Sequence, residues 1–408
     1  MESRSPRLLS IAIAVMLLVG CAAYQTNVSP TPILYAQEEI PEDQLIDVGI
    51  LPFESQEITA EEAEEEGISN EIRKAESNFI PYHLKNTLQQ SSQWGAVRVI
   101  PAETDSVDVF VKGKILASNG EQLALQVEVI DATAKTWFSK KYKAEATQNS
   151  YSGNQPGEKD AFQDLYNTIA NDMAKFKQKL EPVDISKIRT VAKLKFAQDL
   201  APDAFGGYLA QDKKDGTVIK RLPADDDPMM ERLLKIRERE YMYVDTLNEY
   251  YDDFYNRMWP SYENWRNLNL TERQAMQKIK HAALTRQLIG ALLIAGAVAA
   301  GSIDSSNTGA IQAGMIIIGG QVIISGFNVS KEAEIHEAAI QELSESFGSE
   351  MKPVVMEFEG KQYELNGSAG EQFSQWRELL RKIYIAETGF EPESSSQKKA
   401  DDNTAGPK

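Results

Sequence analysis

Short stretches of the first half of the chain alternate between apolar and polar residues, while the second half repeats at helical spacing. Ile46, Val48 and Ile50 alternate and stop at Pro52, which cannot donate to a strand ladder. Glu61 to Glu66 is an acidic run suited to a solvated loop or a helix start. Pro81 fits the first turn of a helix that carries Leu84 and Leu88 on one face. Val97, Val99 and Ile100 predict a second strand; Val107, Val109, Val111 and Ile115 predict a third. Asn119-Gly120 is a two-residue hairpin signal, and Leu123, Leu125, Val127 and Val129 alternate along the returning strand. Trp137 to Tyr142 predicts the last strand of this group. Phe162, Leu165, Tyr166, Ile169, Met173, Phe176 and Leu180 make one helical stripe that suits a cover for the sheet.

From Ile185 the pattern is mainly helical. Asp225-Asp226-Asp227-Pro228 reads as a helix start, with carboxylates at the favourable end of the dipole. The helix it opens is expected to reach Trp259 and break at Pro260. Thr271 with Gln274 resembles a capping box for another long helix, and a third is expected from about Thr308 to Ser346. Val354, Met356 and Phe358, a turn at Glu359-Gly360, then Tyr363 and Leu365 predict a hairpin. Ser368 with Glu371 caps a last helix, and 391–408 has the composition of a disordered tail. The fold class is α+β: a small α/β sandwich domain followed by a mainly helical one.

One stretch of the helical part is unusually apolar. Gln287 to Ile303 and Ser305 to Ser330 carry no charge, and Asp304 alone separates them. Each arm supplies about 17–20 apolar or small residues, near the lower limit for crossing hydrocarbon. Ala291, Ala295 and Ala299 recur at four-residue spacing, as do Gly296 with Ala300 and Ala297 with Gly301. Small residues so spaced let helices approach closely, as in a glycine zipper. Gly290, Gly314, Gly319, Gly320 and Gly326 each cost about 1 kcal/mol in a water-exposed helix, so lipid or close packing is expected to offset them. Two environments fit the hairpin 287–330: a bilayer, with Arg286 and Lys331 at the headgroups, or the interior of a helical bundle or oligomer axis.

The amino terminus adds an address. Arg4 and Arg7 precede an apolar run from Leu8 to Val19, too short to span a bilayer, and Leu18-Val19-Gly20-Cys21 follows. These residues resemble the lipobox of bacterial lipoproteins. The resemblance implies a cleaved signal over 1–20, a diacylglyceryl thioether on Cys21 and an acylated (palmitate-type) amino terminus. Two or more chains anchor a protein stably. Ala22 after the cysteine, rather than Asp, implies the outer membrane, on its periplasmic face. The Pro-containing stretch 21–44 is expected to be a lipidated tether.

Charge and composition narrow the partners. There are 43 basic and 61 acidic side chains, a formal net charge of −18, which disfavours nucleic acid. Cys21 is the only cysteine, so no internal disulfide forms. His83, His281 and His336 show no metal-ligand spacing and read as helix-surface or boundary residues. No phosphate loop or nucleophile elbow is present, and carboxylate pairs discriminate nothing in so acidic a chain. The aromatic run Tyr241, Tyr243, Tyr250, Tyr251, Phe254, Tyr255, Trp259, Tyr262 and Trp265 fits core packing or an interfacial belt better than a glycan platform. The expectation is a protein without catalytic residues, metal or cofactor.

Three strand sequences carry a second resemblance. Val48-Gly49-Ile50-Leu51-Pro52-Phe53, Asp108 to Ile115, and Leu125 to Ala132 followed by Trp137-Phe138-Ser139 resemble the strands of the periplasmic α/β domain shared by TolB amino-terminal-like proteins, curli-secretion lipoproteins and penicillin-binding-protein activator lipoproteins. The likeness covers 45–147 and implies a binding and assembly module with no catalytic residues. The long β-hairpins of the curli channel have no counterpart in this chain. The expected organisation is a periplasmic α/β domain over 45–181 and a helical domain over 182–390. The expected role is a structural or accessory component of an envelope assembly for secretion, surface appendages or cell-wall synthesis. The alternatives are an oligomeric pore or translocon built from the hairpin, and, more weakly, a cell-wall enzyme. Its partners would be the membrane, other envelope proteins and further copies of itself.

Overall fold

The structure, a computed structural model, describes residues 30–151, 159–214, 216–299, 331–349, 353–358 and 360–389. It divides into two compact units, Met1–Pro32 and Ile33–Lys408, and all described secondary structure lies in the second. The fold is mixed α and β.

Six strands make the main sheet: β1 (Val48–Ile50), β2 (Glu54–Ser55), β3 (Val97–Val99), β4 (Val109–Ser118), β5 (Gln122–Asp131) and β6 (Thr136–Glu145). Their order is β3-β1-β4-β5-β6, with β2 also beside β4. β1 runs parallel to β3 and β4, whereas β4, β5 and β6 are antiparallel. Parallel neighbours need a crossover. It is made by α1 (Ala60–Glu66), capped by Thr59 and Glu62, and α2 (Asn70–Gln90). The acidic run Glu61–Glu66 is thus α1. Gly120, at φ 77°, makes the tight connection between β4 and β5 at the expected Asn-Gly turn.

Pro81 departs from expectation: it lies inside α2, not in its first turn. A proline there cannot bond the carbonyl four residues back. That carbonyl, Ser77 O, accepts the Phe53 N–H instead, at 2.8 Å. The bond anchors the Pro52-Phe53 break between β1 and β2. The Phe53 ring then lies over Gly113 of β4, where an added Cβ would come within 2.4 Å of it.

After β6 come α3 (Gln163–Lys177), α4 (Pro182–Leu200), α5 (Pro202–Phe205) and a small hairpin, β7 (Leu209–Asp212) with β8 (Gly216–Ile219). The hairpin falls in a region read as helical, because only the few residues around Gly216 encode it. Then α6 runs from Pro228 to Ala299 without a break. Asp227 caps it, its carboxylate accepting from Met229 N and Met230 N, as the start signal predicts. The expected break at Pro260 and restart at Thr271 do not occur. Thr271 Oγ1 instead donates back to Asn267 O within the helix. Packing on both sides of Pro260 outweighs its local cost. The chain ends with α7 (Lys331–Ser349), the predicted hairpin β9 (Val354–Phe358) with β10 (Lys361–Leu365), and α8 (Ala369–Thr388), capped by Ser368 and Glu371.

Two apolar cores result. One lies between the sheet, α2, α3, the start of α4 and the middle of α6, and includes Ile340 of α7. The other joins the end of α4, the start of α6, the β9–β10 hairpin and α8. Residues on both sides of the expected 181/182 boundary share the first core: Tyr251, Phe254, Met258, Tyr262 and Trp265 of α6 pack with the sheet and α2. Of the expected tether, the part from Leu34 onward is docked. Leu34 N donates to Asn171 at 2.7 Å, and Ala36 N to Ser91 O at 3.0 Å.

Candidate functional site

The feature that organises the molecule is α6, a helix of 72 residues that would span ~108 Å at about 1.5 Å per residue. One face of it is a continuous seam. Arg237, Tyr241, Asp245, Asn248, Asp252, Tyr255, Trp259, Tyr262, Arg266, Asn269 and Arg273 follow one another in steps of three or four residues. This is the period of a coiled-coil seam, carried by polar and aromatic side chains instead of leucines.

Each step holds a partner in the α/β layer. Arg237 and Tyr241 both donate to Ser106 O, and Arg237 lies 3.8 Å from Asp108. Asp245 accepts a bidentate pair from Arg98 at 2.6 and 3.0 Å. The Asn248 amide accepts from Val99 N and donates to Val99 O, closing the free edge of β3 as a further strand would. Asp252 accepts from Tyr82 at 2.9 Å. Tyr262 donates to Glu76 at 2.6 Å, and Glu76 also receives Ser118 and Arg73. Asn269 donates to Asn119 O, and Arg273 pairs with Glu66 and Glu121.

His83 sits in the middle of this seam. It is 6 % exposed, which corrects the surface or boundary reading. The Gln163 amide nitrogen donates to Thr87 and Asn167, so its oxygen faces His83 Nε2 at 2.9 Å. Nε2 therefore carries the proton, and Nδ1 accepts from Tyr255 O–H at 2.6 Å. Burial lowers the imidazole below its ordinary 6.5, and nearby Arg266 acts in the same direction, against Asp160 and the Gln163 bond. The ring stacks with Phe79 and Trp259 and is tilted against Tyr166. Every polar atom of the ring is engaged, which makes it a strut.

The clefts lie elsewhere. One, of about 590 Å³, lies between the sheet, α4 and α8, with Lys112, Lys195, Asp199, Arg377 and Arg381 on its walls. Arg377 is bound to Asp199 at 2.6 Å and Thr104 at 2.7 Å; Lys112 pairs with Glu103 at 2.5 Å. Among the described residues no group of three or more His, Cys, Asp or Glu is placed to hold a metal ion.

The seam runs to Arg273, and Gln277 donates to Glu121 one turn further on. Ile279 is 50 % exposed. α7 returns beside α6. Its Phe347 packs on Tyr251 and Phe254, while Gln341, Ser344 and Glu345 lie across a cleft from Asn70, Glu71, Arg73 and Lys74 of α2. The adjoining Glu76 of α2 meets Tyr262, so α7 runs antiparallel to α6.

Several residues singled out from sequence have no described side chain. Gly290, Ala291, Ala295, Gly296 and Ala299 lie on the helical backbone of α6, but their side chains are outside the described residues, as are Cys21, Gly301, Gly314, Gly319, Gly320 and Gly326 entirely. The expected tail, 391–408, is also outside them. Among the described residues no helix is long and apolar enough to cross a membrane. The seam was missed in the sequence because its signal is a period of polar residues. Tyr255 and Tyr262 of the seam, with Tyr251, Phe254 and Trp265 beside them, are buried, which fits core packing, one of the two environments expected for this aromatic run. No protein family, curated protein or solved structure matches this chain.

Proposed function

We propose that this protein is a lipid-anchored outer-membrane component that works without catalysis, as a scaffold in an envelope assembly. One observation carries the reading: α6 is cemented to the α/β layer along its first part, as far as Arg273 and Gln277, and the same helix continues unbroken to Ala299. Such a helix transmits position rigidly from the globule to its far end. The far end leads into the uncharged stretch that begins at Gln287, suited to lipid or to a like helix. The lipobox-like Cys21 would hold the globule near the membrane, and the TolB-like strand sequences add an assembly role by resemblance. A second reading, an oligomeric pore, draws on the exposure of Ile279 and of Ile335 (68 %) on the paired helices α6 and α7. Membrane fractionation of the full chain and of Cys21→Ser tests the proposal. The native chain should sediment with outer membranes and the variant should not; sedimentation of both would overturn the anchor. A detergent-stable ring with ion conductance would replace the scaffold reading with the second one.

A further inference from the structure

The two edges of the main sheet are treated differently. At β3, the Asn248 side chain takes both backbone groups of Val99 and the edge is closed. At β6, the ladder is with β5 alone, and among the described residues no element pairs with its other side. This open edge is ten residues long. An uncovered edge of that length is a template for another strand.

The edge is also the reverse of the chain in charge. Lys135 to Glu145 holds Lys135, Lys140, Lys141 and Lys143 against Glu145, within a protein of net charge −18. All four lysines are exposed. They flank the edge on both faces. Lys140 lies opposite Val127 on the face covered by α3, where it meets Asp172. Lys141 is on the other face, in one row with Gln126 and Lys114 across three strands. Lysines on an edge forbid it to pair with a second copy of itself, since like charges would stand opposite each other. The same charges favour an acidic strand, so one feature excludes the wrong partner and selects the right one.

We propose that β6 is a docking edge for an extended acidic segment of a partner protein, which adds to the sheet as a further strand. Main-chain hydrogen bonds along β6 supply affinity, and the lysine rows supply charge selectivity. The inference stands on the sheet alone and does not depend on the lipid anchor or on the scaffold role.

The test uses the full chain and a labelled ten-residue peptide alternating Glu and Val, followed by fluorescence anisotropy and by hydrogen exchange of the β6 amides. Two control peptides accompany it: one with Lys in place of Glu, and one acidic but N-methylated at alternate amides. The acidic peptide should bind saturably and protect β6 amides; the basic and N-methylated peptides should not. The double variant Lys141→Glu/Lys143→Glu breaks only the exposed Lys143–Glu145 pair, which contributes little to stability, and should melt within a few degrees of the native chain, yet bind the acidic peptide about tenfold more weakly. Equal binding of the N-methylated peptide would reduce the edge to a charge patch and overturn strand addition. No binding at millimolar peptide would overturn the proposal outright. So would lysine-dependent binding of phosphatidylglycerol vesicles in place of the peptide, because the surface would then be a membrane contact.

Discussion

Arg266 of α6 holds Asp160 at 2.6 Å in the interior, with side-chain exposures of 2 % and 1 %. Burial by itself raises the Asp160 carboxyl, but the Arg266 charge and the carboxylate's hydrogen bonds outweigh that and bring it below its ordinary 3.8. The pair sits where α6 crosses the segment leading into α3, and the Arg266 guanidinium also lies 4.4 Å from the Tyr262 ring. Removing one partner of such a pair strands a charge. Arg266→Met should destabilise the protein by about 3–5 kcal/mol, and adding Asp160→Asn should recover a large part of that. Urea unfolding of the single and double variants checks this; equal stability of Arg266→Met and the native chain would refute it.

Asp108 should make the protein less stable as pH rises. Burial pushes its carboxyl up to about 6, only partly opposed by the Asp47 N–H and Arg237. Its folded value lies above its unfolded one, so its contribution is complete below about 4 and is lost as pH climbs through about 6. The difference between about 6 and 3.8 corresponds to roughly 3 kcal/mol as an upper bound. Asp108→Asn should therefore gain stability relative to the native chain between pH 4 and 7. Parallel profiles for the two proteins over that range would disprove the assignment.

Gly120→Ala should cost at least about 1–2 kcal/mol. The position has φ 77°, and an added Cβ would come within 2.2 Å of Arg266 O. The penalty therefore has two parts, a strained turn and a collision with the α6 backbone. Gly360→Ala, at φ 73° with nothing within 4 Å, carries only the first and is the internal control. Similar losses for both in thermal melts would remove the evidence for close contact between the turn and α6.

A fragment ending at residue 200 should not melt cooperatively, although the sequence suggests a self-sufficient α/β domain over 45–181. Without α6, Phe79, Tyr82 and Ile72 lose their cover, and Glu76 and Asp160 lose Tyr262 and Arg266. A sharp cooperative transition in that fragment would show that α6 is an accessory to a finished domain.

Ala295→Arg tests the far end of α6. A charge in mid-membrane costs roughly 2.5–3.5 kcal/mol, and a close small-residue helix seam is similarly hostile. If the stretch meets lipid or a like helix as proposed, the variant should lose oligomer formation or protease protection of residues 290–326, with any acylation of Cys21 unaffected. Unchanged behaviour on both counts would remove the role assigned to that stretch.

The strands and their turns were legible because their cues are local. Alternation in Val109 to Ile115 and Leu123 to Val129, with Gly120 between them, needs only neighbouring residues to be read. The same holds for the caps at Asp227 and Ser368. Pro81 and Pro260 were misread for the opposite reason. One is a local start signal and the other a local stop signal, each of a few kcal/mol, and each is overridden by contacts made to residues distant in sequence. His83 was misread because nothing near it in sequence shows that Tyr255 and Gln163 will surround it.

By itself, then, the sequence determined the strands of the main sheet from Val109 to Glu145, the Asn119-Gly120 turn, the hairpin at 354–365, the lone cysteine at a lipobox-like position and the uncharged stretches after Gln287. Only the tertiary structure decided that α6 is a single helix and that its polar residues form a seam. Only there does one sheet edge close on Asn248 while the other, among the described residues, stays open along β6. The physical reason is range. Periodicity and capping are set by neighbours within a turn or a strand pair. A buried polar side chain such as Glu76 or Asp160 is tolerable only when its partner arrives from elsewhere, and the identity of that partner exists only in the folded chain.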